Sequence, residues 1–144
     1  MTALHFEDVE VGTRIPTFVR TTHFEEWNRY AAVNDEFVPI HMDDAAGRAA
    51  GNESGAFGMG NLRLSYLVNM LQHWIGDEAE IRELAVSYRR LNRQHDTLEC
   101  VGTVVAKEVD GDDRLVRLEV DVLDQHGEST TPGTACVVLP ARDA

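Results

Sequence analysis

The sequence predicts an α+β fold in which a curved antiparallel sheet wraps around one long, buried helix. One observation is the segment LRLSYLVNMLQHWIG, residues 62–76, whose apolar residues recur at helical spacing on nearly all sides. The other is the C-terminal half, in which apolar and polar residues alternate in short runs. A chain of 144 residues buries one such helix most simply by curving a sheet around it. Because no repeat or linker divides the sequence, residues 1–144 are predicted to form a single domain.

The N-terminal part is predicted to hold a short extended segment, residues 15–21, followed by a helix. Thr22 to Glu25 has the pattern of a capping box, so the helix is expected to begin there and to run to about Val33. Pro39 prevents this helix from continuing, because the residue before a proline is pushed out of the helical region.

The middle of the chain is predicted to contain a short helix, a loop and the long helix. The short helix is expected to begin at Asp43 or Asp44, which are typical caps, and to stop at Gly51. The glycine-rich stretch 52–60 then forms a loop, and Gly76 ends the long helix.

The C-terminal half is predicted to form the sheet as an antiparallel meander. Residues 110–113 and 124–127 have the composition of hairpin turns between the later strands. The alternating apolar residues are Leu84, Val86 and Tyr88, then Leu98, Cys100 and Val104, then Val116, Leu118, Val120 and Val122, and finally Cys136 and Val138.

Composition excludes some classes of function. A net charge of −12 argues against nucleic-acid binding, because nothing offsets the repulsion by phosphates. Arg82, Arg89, Arg90 and Arg93 form the densest basic group, which is explained equally by a solvated strand edge or by a phosphate contact. No run is long enough to span a membrane, and the start MTALHFEDVE has no signal-peptide pattern. We therefore expect a cytoplasmic protein.

The two cysteines, Cys100 and Cys136, lie in strand-like sequence without metal-binding spacing. They are interpreted as buried, reduced thiols, and the alternative is a disulfide between them. No motif for a metal ion, a dinucleotide or a serine nucleophile is present, so no cofactor is expected.

The glycine-rich loop before the long helix is a candidate binding site. Gly55, Gly58 and Gly60 would let a ligand approach the backbone N–H groups at the positive end of that helix. An oxygen that gains negative charge in a transition state would be stabilised there. The alternative is a tight loop that binds no ligand.

The segment DEFVPIHMDD, residues 35–44, is the candidate for acid/base chemistry. His41 has carboxylates on both sides, and an imidazole beside a carboxylate can transfer protons near neutral pH. The alternative is a partly exposed loop histidine next to the helix caps Asp43 and Asp44.

The segment YAAVNDEFVPIHMDDAAGRAAG resembles the hydratase motif of MaoC-like hotdog proteins, a family of (R)-specific enoyl-CoA hydratases and 3-hydroxyacyl-CoA dehydratases. The resemblance extends over nearly the whole chain and implies the hotdog fold. Pro39, Ile40, His41 and Asp43 match the motif, which implies that His41 is the catalytic histidine. The position of the family's catalytic aspartate is occupied by Glu36, and that of its asparagine by Val38.

The resemblance implies further site residues. Either Glu36 or its neighbour Asp35 would be the catalytic acid; a third possibility is that the acid/base pair is impaired. Gly58 matches the glycine whose N–H holds the thioester oxygen, and Met59 follows it in the substrate-binding loop, where the family often has His-Gly-Met.

The resemblance implies hydration of an acyl-CoA, or of an acyl carrier protein thioester, by a homodimer or a dimer of dimers in fatty-acid or steroid side-chain metabolism. The segment beginning AFGMGNLRLSYLVNMLQHWIG is also similar to small MaoC-like subunits that pair with a second hotdog chain. A non-catalytic or half-site acyl-CoA-binding subunit is therefore one alternative. A hotdog acyl-CoA thioesterase and a purely structural domain are the others.

Overall fold

The computed structural model describes residues 4–142, which form one five-stranded antiparallel sheet and four α-helices. The strands are β1 (Phe18–Thr21), β2 (Glu80–Val86), β3 (Thr97–Asp110), β4 (Asp113–Leu123) and β5 (Gly133–Val138). The helices are α1 (Phe24–Asn34), α2 (Pro39–Met42), α3 (Asp44–Ala49) and α4 (Gly60–Ile75).

The sheet has the strand order β1-β3-β4-β5-β2, and every neighbouring pair is antiparallel. Strands β3, β4 and β5 form the predicted meander. The prediction that β2 continues this meander was wrong, because β2 pairs with β5 at the far edge of the sheet instead of with β3. The connection between β2 and β3 therefore crosses the sheet.

Helix α4 packs against strands β1 to β4, so the sheet curves around it as predicted. Its inward face is buried and consists of Leu62, Arg63, Tyr66, Leu67, Met70, Leu71 and Ile75. The prediction that the helix is buried on nearly all sides was wrong, because Val68 on the opposite face is 40% exposed. A one-sided apolar stripe is sufficient when a sheet covers only one side of a helix.

The short helices differ from the prediction in their first residues. Helix α1 is capped at His23, whose N–H donates to the carboxylate of Glu26 at 2.9 Å, so the capping box lies one residue later than predicted. Pro39 begins α2 instead of only ending a helix, because its missing N–H costs nothing at the first helical position. Asp43 caps α3 as predicted.

The two cysteines are buried and free, as predicted. Burial raises the pKa of the Cys100 thiol to about 12. Within the described residues, no helix is both long and apolar enough to cross a membrane.

Candidate functional site

A cavity of about 250 Å³ lies between α2 and the beginning of α4. It is lined by His41, by Phe57, Gly58 and Gly60, by Arg63, and by residues 88–91. The predicted histidine and the predicted glycine loop therefore meet in one place, although 16 residues separate His41 from Phe57.

A larger depression of about 580 Å³ lies over β3, β4 and the start of β5, and it contains none of the residues predicted for the site. In the part of the chain from residue 4 to residue 142, no three His, Cys, Asp or Glu side chains are grouped so that they could hold a metal ion.

His41 is placed on α2 with its ring turned into the protein, and only 8% of the residue is exposed. Its Nδ1 lies 2.6 Å from the backbone oxygen of Phe57, and its ring meets the Phe57 ring edge-on. Because a carbonyl oxygen can only accept, Nδ1–H is the donor. In the neutral imidazole this leaves a lone pair on Nε2, which can accept a proton.

Two aspartates fix the backbone around His41. Asp43 Oδ1 accepts the N–H of Ala46 at 2.8 Å and caps α3. Asp44 was predicted as a cap, but its Oδ1 accepts the N–H of Ala56 at 3.0 Å instead. This bond joins α3 to the loop that carries the acceptor for His41, so the orientation of the imidazole depends on it.

The two candidate acids lie outside the cavity lining. Asp35 is an exposed residue with φ +54°, in the left-handed conformation that ends α1. Glu36 is half-buried, and its charge contributes to raising the pKa values of Tyr30 and Tyr88, after burial of those rings. Tyr88 lines the cavity, so Glu36 acts electrostatically on one of the residues of its wall.

The N–H of Gly58 is already used by the protein: it donates to the backbone oxygen of Asn92 at 2.7 Å. As the structure stands, Gly58 therefore does not offer the donor for a thioester oxygen that the sequence suggested. A Cβ at position 58 would overlap Asn92 Oδ1 and lie 2.9 Å from Trp27 Nε1, so the close approach of these two buried side chains requires glycine.

The Met59 side chain is fully buried in the core, so only its backbone can face a ligand. In the described part of the chain, the N–H groups of Met59 and Gly60 make no hydrogen bond. They are among the orphan donors at the positive end of α4. Gly60 also lets the Tyr88 ring pack on the helix start, because a Cβ there would lie 2.8 Å from Tyr88 Cε2.

Arg63 is the cavity residue that the sequence analysis missed. It is only 2% exposed, and its guanidinium donates from Nη1 to the backbone oxygen of Arg90 at 2.8 Å. Tyr66, Leu67 and Met70 follow it at spacings of three, four and seven residues, and all three are buried. That spacing is the signal that could have placed a charged side chain on the inward face of the helix.

The basic group identified in the sequence is divided in the structure. Arg82 forms ion pairs with Glu80 and Asp113 and belongs to the edge strand β2, whereas Arg89 and Arg90 lie in the loop that follows it. The latter two line the His41 cavity, and Arg90 also pairs with Glu128, which does not line it.

Solved structures with the same architecture were found, although no protein-family model and no curated protein matches the sequence. An (R)-hydratase from Pseudomonas aeruginosa, PhaJ1, superimposes with a TM-score of 0.84 at 20% identity, over 97% of this chain and 88% of its own. A MaoC-like dehydratase from Rhodospirillum rubrum gives 0.82 at 24%, over 99% and 100%. The ChsH1–ChsH2 complex from Mycobacterium tuberculosis gives 0.79 at 19%, over 90% and 98%.

These likenesses confirm the predicted fold. The sequence resemblance to MaoC-like proteins is thus borne out at the level of architecture: this chain has the hotdog fold that is found in these (R)-hydratases and MaoC-like dehydratases.

Proposed function

We propose that this protein is a MaoC-like (R)-specific hydratase, which adds water reversibly to a trans-2-enoyl thioester. The observation that carries the proposal is His41, a buried histidine whose Nδ1–H is held by Phe57 so that Nε2 is the proton acceptor in the cavity. The likeness of the fold to (R)-hydratases supports the same reaction.

In the proposed reaction, His41 Nε2 takes a proton from water while the water oxygen bonds to C3 of the enoyl group. The electron pair of the C2–C3 double bond moves toward the thioester and forms an enolate. The enolate then re-forms the carbonyl as C2 takes up the proton from the imidazolium. The atoms of one water are added, and no oxidant or reductant is required.

The developing negative charge on the thioester oxygen requires donors that the protein does not use itself. Since the N–H of Gly58 is bound to Asn92, we assign this role to the backbone N–H groups of Met59 and Gly60. The positive end of the α4 dipole favours a negative oxygen at the same place.

Glu36 is proposed as the acid that orients the attacking water together with His41. It is half-buried and acts electrostatically on Tyr88, whereas Asp35 is exposed at the end of α1. A water molecule that is held by two acceptors presents a lone pair in one direction, which raises the fraction of productive encounters.

The remaining parts of the proposal concern the substrate and the assembly. An acyl-CoA or an acyl carrier protein would deliver the thioester, from fatty-acid or steroid side-chain metabolism. We propose a homodimer or a dimer of dimers located in the cytoplasm.

A second candidate is a half-site subunit that requires another hotdog chain. It is favoured by the two carboxylates lying outside the cavity lining and by the N–H of Gly58 being occupied. The likeness to the ChsH1–ChsH2 complex, an assembly of two different chains, supports the same candidate.

The test is the loss of enoyl absorbance when the purified chain is mixed with crotonyl-CoA and with a longer enoyl-CoA. We expect turnover that falls about 10²- to 10⁴-fold in His41→Gln, because a general base contributes that much. The matched control is His126→Gln, which changes an exposed turn histidine and should retain full turnover.

Two other results would redirect the assignment. Release of free thiol without loss of the double bond would identify a thioesterase. Absence of turnover with both substrates, restored by a copurifying second chain, would identify the half-site subunit.

A further inference from the structure

Arg63 is a buried cation at the wall of the His41 cavity. It belongs to the first turn of α4, only 2% of the residue is exposed, and it lines the same 250 Å³ space as His41. The neighbouring Tyr88 ring centroid lies 5.3 Å from its guanidinium carbon. The positive end of a helix dipole does not stabilise a positive side chain. A negatively charged group beside the Arg63 guanidinium is therefore expected.

No carboxylate of the described residues neutralises Arg63. Its hydrogen bond goes to the neutral backbone oxygen of Arg90, and its Nε is buried without any partner. Asp96 is the acid that acts on it electrostatically, but the two do not form an ion pair. Burial accordingly lowers the pKa of the guanidinium. A buried charge without a counter-charge destabilises the folded state, which a bound anion would reverse.

The rest of the cavity rim is also rich in arginine. Arg89 makes no ion pair within the described chain, while Arg90 is paired with Glu128 outside the cavity lining. Three of the 13 basic residues of a chain with net charge −12 thus line one small cavity, and no acidic residue lines it. Such a concentration of positive charge favours a ligand that carries a negative charge before any reaction begins.

We infer that Arg63 binds a carboxylate carried by the acyl group, so that the preferred substrate is an enoyl thioester with a carboxylate at its far end. The inference rests on the proposed hydration at His41. Phosphates of a coenzyme are a poorer match, because a long pantetheine arm separates them from the thioester, whereas Arg63 shares one small cavity with His41. The planar guanidinium can bind a carboxylate through two parallel N–H bonds.

The test compares two thioesters that differ in one terminal group. trans-2-Pentenoyl-CoA ends in a methyl group, and glutaconyl-CoA carries a carboxylate in its place. We expect the wild type to hydrate glutaconyl-CoA with the higher kcat/KM. Arg63→Met should lower kcat/KM for glutaconyl-CoA about 10- to 100-fold more than kcat/KM for pentenoyl-CoA, and Arg63→Lys should restore part of the loss. Arg29→Met, which removes an exposed arginine of α1, is the matched control and should change neither value.

A binding measurement separates this inference from the proposed function. Calorimetric titration with free glutaconate should show binding to the wild type and none to Arg63→Met, even if no thioester is hydrated. Equal losses on both thioesters would overturn the inference, since Arg63 would then act on the thioester itself. A wild type that neither prefers glutaconyl-CoA nor binds glutaconate would also overturn it. A change of oligomeric state in Arg63→Met, measured by light scattering, would assign Arg63 to a partner's carboxylate instead.

Discussion

The ten residues 35–44 contain two halves that the structure holds in different ways. In the second half, residues 39–44, the side chains of His41, Asp43 and Asp44 each hydrogen-bond to a backbone group elsewhere in the chain. The bonds of His41 and Asp44 connect α2 and α3 to the loop before α4, whereas the bond of Asp43 caps α3. The position of the imidazole is therefore determined by the fold itself.

The first half, residues 35–38, has no comparable support. Within residues 4–142 the carboxylates of Asp35 and Glu36 make neither a hydrogen bond nor an ion pair, and Phe37 is 60% exposed. The base of the proposed reaction is therefore preorganised by the single chain, whereas its acid is not. Substrate or a second subunit would have to complete the site on that side.

Of the two candidate acids, Glu36 is expected to cause the larger loss of hydration activity when it is substituted. Glu36→Gln should lower the rate of hydration about 10- to 100-fold, because a neutral amide oxygen holds the attacking water more weakly than a carboxylate does. Asp35→Asn should retain activity, since asparagine tolerates the left-handed conformation of that position. Initial rates of enoyl hydration for both variants decide the matter. The opposite ranking would assign the acid to Asp35, and two active variants would show that neither carboxylate takes part.

A smaller effect, on stability as well as activity, is expected for Asp44. Asp44→Ala removes the acceptor for the N–H of Ala56 and should lower the free energy of unfolding by about 1.5 kcal/mol. The rate of enoyl hydration should also fall, because the loop whose carbonyl oxygen orients His41 is then held less firmly. Asp44→Asn keeps an oxygen acceptor, so its midpoint of urea denaturation should lie between those of the wild type and of Asp44→Ala. An unchanged midpoint for Asp44→Ala would mean that the second half is not held by this bond.

Asp43 should contribute to the stability of the fold, through its cap of α3, and not to the reaction. Asp43→Ala should cost about 1 kcal/mol in the free energy of unfolding, and Asp43→Ser should restore most of it, because serine caps equally well. Thermal unfolding by circular dichroism measures both. A loss of activity in Asp43→Ser at full stability would instead show that the carboxylate takes part in the chemistry.

The smallest effect is expected in the exposed first half. Phe37→Ser should change the free energy of unfolding of the chain by less than about 0.5 kcal/mol, as is usual for exposed positions. If a second subunit covers this side, the same variant should shift the oligomer toward monomer in sedimentation analysis. An unchanged assembly would place the partner on another surface.

The fold could be predicted from the sequence where the signal is local. Gly76 and the helical spacing of residues 62–76 predicted the existence and the end of α4, and the alternating residues predicted β3, β4 and β5. The place of β2 could not be predicted, because pairing between β2 and β5 joins residues about 50 positions apart and leaves no periodic trace. Pro39 was misread because a proline that stops one helix can begin the next.

The candidate site could be predicted only in part, for a similar reason. His41 was identified because its neighbours in sequence are acidic, which is a local pattern. Arg63 was missed because what makes it unusual is its burial without a carboxylate, and this depends on tertiary structure. The bond from the Gly58 N–H to Asn92 was equally invisible, since 34 residues separate the two.

The central claim is that Phe57 O fixes the proton of neutral His41 on Nδ1 and leaves Nε2 as the base. Nitrogen-15 NMR of histidine-labelled protein at about pH 8, where imidazole is neutral, tests this most directly. His41→Gln identifies the signal by its disappearance. We predict a protonated Nδ1 and an unprotonated Nε2 for His41. A signal with the proton on Nε2 would contradict this assignment, because Nε2 could then not accept a proton from water.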